Sequence, residues 1–330
     1  MNYSKAFHTG SLADYTFLVT GAAGFIGSHL VEYLLQHKAG KVIGIDNLSN
    51  GYEKNIAAFL CSENFEFHKA DITDFSVCLS FCKQVNFVLH QAALGSVPRS
   101  IANPLDTHAS NSTGFLNLLE ATRISGIKRM VYASSSSVYG NNTDLPKVEH
   151  KIGLPLSPYA VSKITNELYA HTYAQMHNMP VIGLRYFNIF GPRQNTKGPY
   201  AAAIPLFIES LLNNQPCYIN GDGEQSRDFT FIENAVQANI KALFTNKTEA
   251  FGKVVNIACG QKISVNQIYH KISNALQLKK EPIYREERIG DVRNSLADIS
   301  KAKEWLNYTP EVLFEKGVQQ TVEWFLENRK

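Results

Sequence analysis

Two groups of residues in this 330-residue chain have types and spacings suited to chemistry. The first is Thr20-Gly21-Ala22-Ala23-Gly24-Phe25-Ile26-Gly27, followed at a distance by Asp46. Gly21 permits a tight turn, Gly24 lets a ligand approach backbone N–H groups, and Gly27 lets a helix pack closely on a strand. A phosphate placed there meets unpaired N–H groups at the positive end of the helix. A glycine triplet alone says little. The motif gains meaning from an acidic residue about twenty positions on, at the end of the next strand. Asp46 stands there, where a carboxylate accepts from both hydroxyls of an adenosine ribose and repels a 2′-phosphate. The pair therefore selects NAD over NADP.

The second group is Tyr159-Ala-Val-Ser-Lys163, directly after Pro158. An i, i+4 spacing puts phenol and ammonium on one helical face. An ammonium there stabilises the phenolate and lowers a pKa normally near 10, giving a base usable near neutral pH provided the lysine also sits by the cofactor. With 15 tyrosines in the chain, such a pair also arises by chance, so its location has to decide. Upstream, a strand ends in Ser134-Ser135-Ser136-Ser137, and ligands bind at the carboxyl ends of strands in open α/β sheets. A serine hydroxyl there can share a substrate hydroxyl with Tyr159.

The elements that must position these groups are legible as alternating patterns. TFLVT (16–20), KVIGID (41–46), FEFHKAD (65–71), FVLHQAA (87–93), RMVYASS (129–135) and VIGLRYF (181–187) read as strands. Residues 25–37 and 157–176 carry helical periodicity. Strand–helix alternation predicts an α/β fold, a Rossmann doubly wound parallel sheet with a smaller α/β substrate-binding domain. We read residues 1–187 as the NAD-binding Rossmann domain, with the chain returning around 228–260, where 253–260 looks like one more buried strand. Residues 188–227 and 261–330 then form the second domain, which ends in amphipathic segments at 298–306 and 315–328.

Bulk properties narrow the class. The chain is 44% hydrophobic and 18% charged with a net charge of +3, which does not point to nucleic acid as a partner. Cys61, Cys78, Cys82, Cys217 and Cys259 form no CxxC pair and suggest reduced, mostly buried thiols in a cytoplasmic protein without a metal site. No apolar leader core and no 18-residue apolar run occurs, so no membrane partner is expected.

The motifs together resemble the extended short-chain dehydrogenase/reductases, specifically the UDP-hexose 4-epimerases. TGAAGFIG, Asp46-Asn47-Leu48-Ser49, Ala70-Asp71-Ile72, His90-Gln91-Ala92-Ala93, the serine run before Val138-Tyr139-Gly140, YAVSK and Arg185-Tyr186-Phe187-Asn188 match in order, from about Phe17 to Trp324. GSVPRS (95–100), SPYAVSK and INGDGEQSRDF (219–229) are similar to the branch acting on UDP-N-acetylhexosamines in bacterial surface polysaccharide biosynthesis.

The resemblance implies roles. Tyr159 is the acid/base, Lys163 holds the nicotinamide ribose, and Ser135 is the catalytic hydroxyl, with Ser136 and Ser137 lining the sugar pocket. Asp71 and Ile72 meet the adenine, and Ala92 flanks the nicotinamide. Phe25, Ile26, Asn47, Ser49, Gln91, Ala93 and Tyr186 fall with them in the cofactor motifs. On the substrate side stand Ser96, Asn188, the arginines Arg227 and Arg288 for the pyrophosphate, and Asp291 for the uridine ribose. Ser295 falls where glucose/galactose-only enzymes carry a bulky tyrosine, so it leaves room for a 2-N-acetyl group. UDP-N-acetylglucosamine and UDP-N-acetylgalactosamine are the expected substrates.

Three alternatives remain open in the residues. Arg99 either faces the C6 carboxylate of a UDP-N-acetylhexosaminuronic acid or is an ordinary loop arginine. A dehydratase or decarboxylase shares the fold, but dehydratases carry an Asp-Glu pair where Ser136 and Ser137 stand. A non-catalytic NAD sensor usually loses the Tyr/Lys pair, which is intact here. The resemblance also implies a homodimer through helices around 105–125 and 157–176. Residues 1–15 precede the usual start and are expected to pack as a strap, and Gln91 in place of the usual leucine is expected to be harmless.

Overall fold

Seven runs of β-branched and aromatic residues pair side by side into one parallel sheet: β1 Thr16–Thr20, β2 Lys41–Asp46, β3 Phe65–Lys69, β4 Phe87–His90, β5 Arg129–Ser135, β6 Val181–Tyr186 and β7 Lys253–Ile257. The computed structural model describes residues 1–195, 202–287 and 293–329. The strand order is β3-β2-β1-β4-β5-β6-β7, with every pairing parallel. The order in which strands are added reverses between β1 and β4, and a crevice opens at such a switch point. Four of the strands are shorter than their sequence patterns. Residues 70–71, 91–93, 187 and 258–260 leave the sheet at its carboxyl edge.

The helices are α1 Phe25–Gln36, α2 Phe75–Cys82, α3 Val97–Ala102, α4 Pro104–His108, α5 Gly114–Ile124, α6 Pro158–His177, α7 Ala203–Leu212, α8 Ile232–Phe244, α9 Val265–Ala275, α10 Ser300–Leu306 and α11 Phe314–Glu327. The segment expected as one helix over 105–125 is interrupted by a π-helical turn at Ala109–Thr113. Its Asn111 accepts from the Leu94 N–H (2.8 Å) and donates to Ser162 Oγ (3.2 Å), so the turn ties the loop after β4 to α6.

Ser157 caps α6 by accepting from the Ala160 N–H, and Pro158 sits in its first turn. A buried fork of Arg185 on Glu167, 2.9 and 2.7 Å, then fastens α6 to β6. α8 and β7 return to the main sheet, as the pattern at 253–260 suggested, and α10 packs on β7 and α8. Beyond the main sheet, α9 packs on α7 and α11, and short strands pair 218–220 with 283–285 and 226–227 with 263–264. Residues 1–12 lie along α1 as a strap: Tyr3, Phe7 and Leu12 are buried, and Phe7 stacks on Tyr33. Four of the five cysteines are buried and all are free thiols.

Candidate active site

The carboxyl edge of the sheet opens into a cavity of about 1100 Å³. At its floor the glycine turn behaves as its residue types demand. Gly21 has φ +68°, and a Cβ there would lie 2.7 Å from the Ala92 nitrogen. At Gly27 a Cβ would lie 2.0 Å from the Gly21 carbonyl oxygen, so only glycine lets α1 start this close to β1. Gly24, Phe25, Ile26 and Gly27 all line the cavity.

Asp46 at the end of β2 lines the same wall and is buried. Its Oδ2 accepts from the Ala23 N–H (3.0 Å) and its Oδ1 from the Leu48 N–H (2.8 Å). Burial raises its pKa against those hydrogen bonds. Each oxygen keeps a further lone-pair site for a ribose hydroxyl. Asn47, Ser49 and Ile72 line the wall beside it. Asp71 sits just behind, its carboxylate accepting from Asn47 Nδ2 at 2.8 Å. A glycine cradle that a Cβ would fill, next to an acceptor-only carboxylate, fits the pyrophosphate and ribose of NAD.

Ser135, Tyr159 and Lys163 meet on the opposite side, together with Ser136 and Ser137. Lys163 is 2% exposed, and its Nζ donates to the Ala133 carbonyl at 2.8 Å, 5.8 Å from the centre of the Tyr159 ring. Burial pulls its pKa down to about 8, with Glu167 opposing. Burial raises the Tyr159 pKa, and within the protein the countering influence is the Ser135 hydroxyl. The cationic nicotinamide ring is the further charge that a bound NAD supplies.

Gln91, Ala92, Ala93 and Tyr186 line the cavity between these two ends. Tyr186 Oη donates to Gln91 Oε1 (3.2 Å) and accepts from Asn239 Nδ2 (2.7 Å), while Gln91 Nε2 donates to Asn239 Oδ1 (3.0 Å). The glutamine expected to be harmless is therefore one side of a closed three-residue ring, which Asn239 of α8 completes. No local pattern marks Asn239, because it comes from a helix 148 positions beyond Gln91.

On the substrate side Ser96, Asn188, Arg227 and Ser295 line the cavity. Arg99 is not among the lining residues; its guanidinium donates to Asn50 Oδ1 at 3.3 Å. Arg288 and Asp291 lie outside the described residues. Sequence reasoning missed Arg193 and Lys147, which line the cavity, and Asp228, which organises it. Asp228 is fully buried, and its carboxylate accepts from the N–H groups of Cys259 (3.0 Å), Gly260 (3.0 Å) and Ala297 (3.2 Å). Burial pushes its pKa up to about 6. Its backbone carbonyl also accepts from Asn188 Nδ2, so one residue ties the Ser295 segment to Arg227 and Asn188. The RDF triplet holding Asp228 was visible, but only its arginine carried an obvious role. Among the described residues no cluster of side chains could hold a metal, and no helix is long and apolar enough to cross a membrane.

A glycine-turn NAD cradle facing a Ser–Tyr–Lys set at the carboxyl edge of a doubly wound sheet defines an NAD-dependent enzyme of the short-chain dehydrogenase/reductase type. The profile of the NAD dependent epimerase/dehydratase family matches residues 17–258, and the chain belongs to that family. It is 37% identical to a UDP-glucuronate 4-epimerase of Thermodesulfobacterium geofontis, over 94% of this chain and 96% of the relative. Among solved structures it is similar to the UDP-N-acetylglucosamine 4-epimerase of Methanobrevibacter ruminantium, at 39% identity and TM-score 0.90 over 95% of this chain and 99% of that one. The UDP-glucuronic acid 4-epimerase of Bacillus cereus, solved with its substrate and NAD, follows at 31% identity and TM-score 0.87 over 94% and 99%. The protein is an NAD-dependent enzyme of this UDP-sugar 4-epimerase group.

Proposed function

We propose that the enzyme interconverts UDP-N-acetylglucosamine and UDP-N-acetylgalactosamine, serving surface polysaccharide biosynthesis as a cytoplasmic homodimer. The observation that carries this reading is Ser295 on the cavity wall, a small side chain where a 2-acetamido group needs room. The structural relative named for UDP-N-acetylglucosamine, at 39% identity, supports it. The exposed Leu105, Leu168 and Met176 on α4 and α6 support helix-to-helix dimerisation.

The chain's own residues set the chemistry. Arg227 and Asn188 hold the diphosphate from the smaller lobe, with Arg288 and Asp291 assigned to the same nucleotide. Ser135 and Tyr159 meet the 4′-hydroxyl, and Tyr159 Oη takes its proton. Lys163 fixes the nicotinamide ribose and keeps positive charge beside the phenolate. Bound NAD supplies reversible hydride acceptance at C4′. After the 4-keto sugar turns over, Tyr159 returns the proton to the oxygen at the inverted centre. Ser136 and Ser137 offer no carboxyl group for a competing elimination.

Incubation with a panel of UDP-sugars, with products resolved by NMR, tests the reading. Exchange between the two N-acetylated sugars is the expected result; exclusive turnover of a uronic acid, or accumulation of a 4-keto product, overturns it. The uronic acid reading draws on the relatives named for UDP-glucuronate.

A further inference from the structure

One ammonium group in the cavity wall has no part in the chemistry above. Lys147 lies in the loop between β5 and α6, is 4% exposed, and lines the cavity. Its Nζ donates to the backbone carbonyl and to Oδ1 (3.2 Å) of Asn142, both neutral acceptors. Among the described residues no carboxylate comes within ion-pair distance of it. Three N–H donors and two acceptors on one neighbour leave one donor for something else. Burial lowers the lysine's pKa, and the carboxylate of Asp144, beyond ion-pair distance, only partly opposes it.

The backbone fixes where the lysine itself stands. The Lys147 N–H donates to the Leu296 carbonyl (2.7 Å), and the Asp298 N–H donates to the Lys147 carbonyl (3.0 Å). On the other side of the same segment, the Ser295 N–H donates to the Ser226 carbonyl (3.0 Å) and the Ser226 N–H to the Arg293 carbonyl (2.9 Å). Arg227, Ser295 and Lys147 therefore stand on three laterally bonded extended segments. Lys147 bridges to Ala297 on one edge of the middle segment and Ser226 to Asn294 on the other, so Ser295 lies between Lys147 and Arg227. That ordering matches a sugar nucleotide laid across the wall, its diphosphate at Arg227 and its ring substituents beyond.

We propose that Lys147 is a specificity-determining residue of the hexose subsite, donating to the acyl oxygen of a 2-acetamido group that occupies the space left by Ser295. The proposal rests on the N-acetylhexosamine reading of the site. Its chemistry is a match of kinds: an ammonium only donates, an acyl oxygen only accepts, and the serines of the pocket serve the hydroxyls. Anchoring at Asn142 holds the lysine's long stem in place before the sugar arrives.

The test compares kcat/KM for UDP-N-acetylglucosamine, UDP-glucose and UDP-N-acetylglucosaminuronic acid in the wild type, Lys147→Met and Lys147→Arg. NAD content and melting temperature are measured on each. A hydrogen bond to a charged group is worth about tenfold or more. Lys147→Met is expected to lower the preference for UDP-N-acetylglucosamine over UDP-glucose at least tenfold, and Lys147→Arg to restore most of it. Equal losses on both sugars overturn the proposal, as does a loss confined to the uronic acid, where the ammonium would be reading a C6 carboxylate. If Lys147→Met loses NAD or melts early, Lys147→Gln, which still donates to the Asn142 turn, is compared by the same ratio. A wild type that does not turn over UDP-N-acetylglucosamine overturns the substrate reading and this proposal together. Normal wild-type turnover with an unchanged ratio in the variants overturns this proposal alone.

Discussion

Lys163 Nζ donates to the Ala133 carbonyl at 2.8 Å, tying the lysine of α6 to β5 two residues before Ser135. Together with the bond from Ser134 Oγ to Glu167, it ties the helix that carries the phenol to the strand that carries the hydroxyl. Tyr159 enters that frame with its pKa raised by burial and held back by Ser135. Tyr159→Phe preserves the ring and its packing while removing the proton acceptor. The variant should fold and retain NAD while losing about 10²- to 10⁴-fold in turnover, the usual worth of general acid–base catalysis. Cofactor content of the purified variant, beside its kcat, checks both halves; near-normal turnover would sink the acid/base role.

The buried ammonium makes stability depend on pH. Lys163 titrates at about 8 in the folded protein against an ordinary 10.5. A depressed pKa in a base means that its favourable contribution is complete above pH 10.5. That contribution is lost as pH falls toward 8, and the dependence flattens below. Lys163→Met should abolish this increment. Denaturant melts of NAD-free protein at pH 7.5 and 9.5 give the slope, and subtracting the variant's slope removes the shared titration of thiols and phenols.

Gly27→Ala tests the packing of α1 on β1. The added Cβ would lie 2.0 Å from the Gly21 carbonyl oxygen, a backbone atom that cannot swing aside. Overpacking of this kind costs about 1–3 kcal/mol. The displaced helix also moves its N–H groups from the phosphate, so a lower melting temperature should come with loss of bound NAD. Retention of full NAD by a destabilised variant would separate the glycine from the phosphate site.

Ser295→Tyr fills the space assigned to the acetamido group. Turnover of N-acetylated substrates should fall at least tenfold, on the order of 1.4 kcal/mol or more, while UDP-glucose is less affected. Unchanged turnover of the N-acetylated sugars would place that group elsewhere.

Asp228→Asn replaces an acceptor of three backbone N–H groups by a side chain that turns two N–H donors of its own toward them. An unmet buried group costs about 1–3 kcal/mol. Because the same carboxylate holds the segment that bears Ser295 beside Arg227, KM for the UDP-sugar should rise more than kcat falls. Steady-state kinetics across the substrate panel resolve the two; a pure stability loss with unchanged KM would make Asp228 a fold residue only.

The sequence by itself determined the doubly wound sheet, the glycine turn with Asp46, and the Ser135–Tyr159–Lys163 set. These depend on short-range requirements that leave a local signature: period-two and helical patterns, glycine where a Cβ cannot fit, and two side chains one helical turn apart. Tertiary structure alone decided what meets those residues. Asn239 reaches Gln91 and Tyr186 from α8, Asp228 gathers amides from residues 259, 260 and 297, and Lys147 comes to stand on the same wall as Ser295. It also decided the burial of Tyr159, which raises a pKa that the i, i+4 lysine is expected to lower beside the cofactor. Such partners are brought together by chain folding over a hundred residues or more, and the desolvation they impose depends on the packed surroundings. Neither the distant contact nor the loss of water leaves a mark in local spacing.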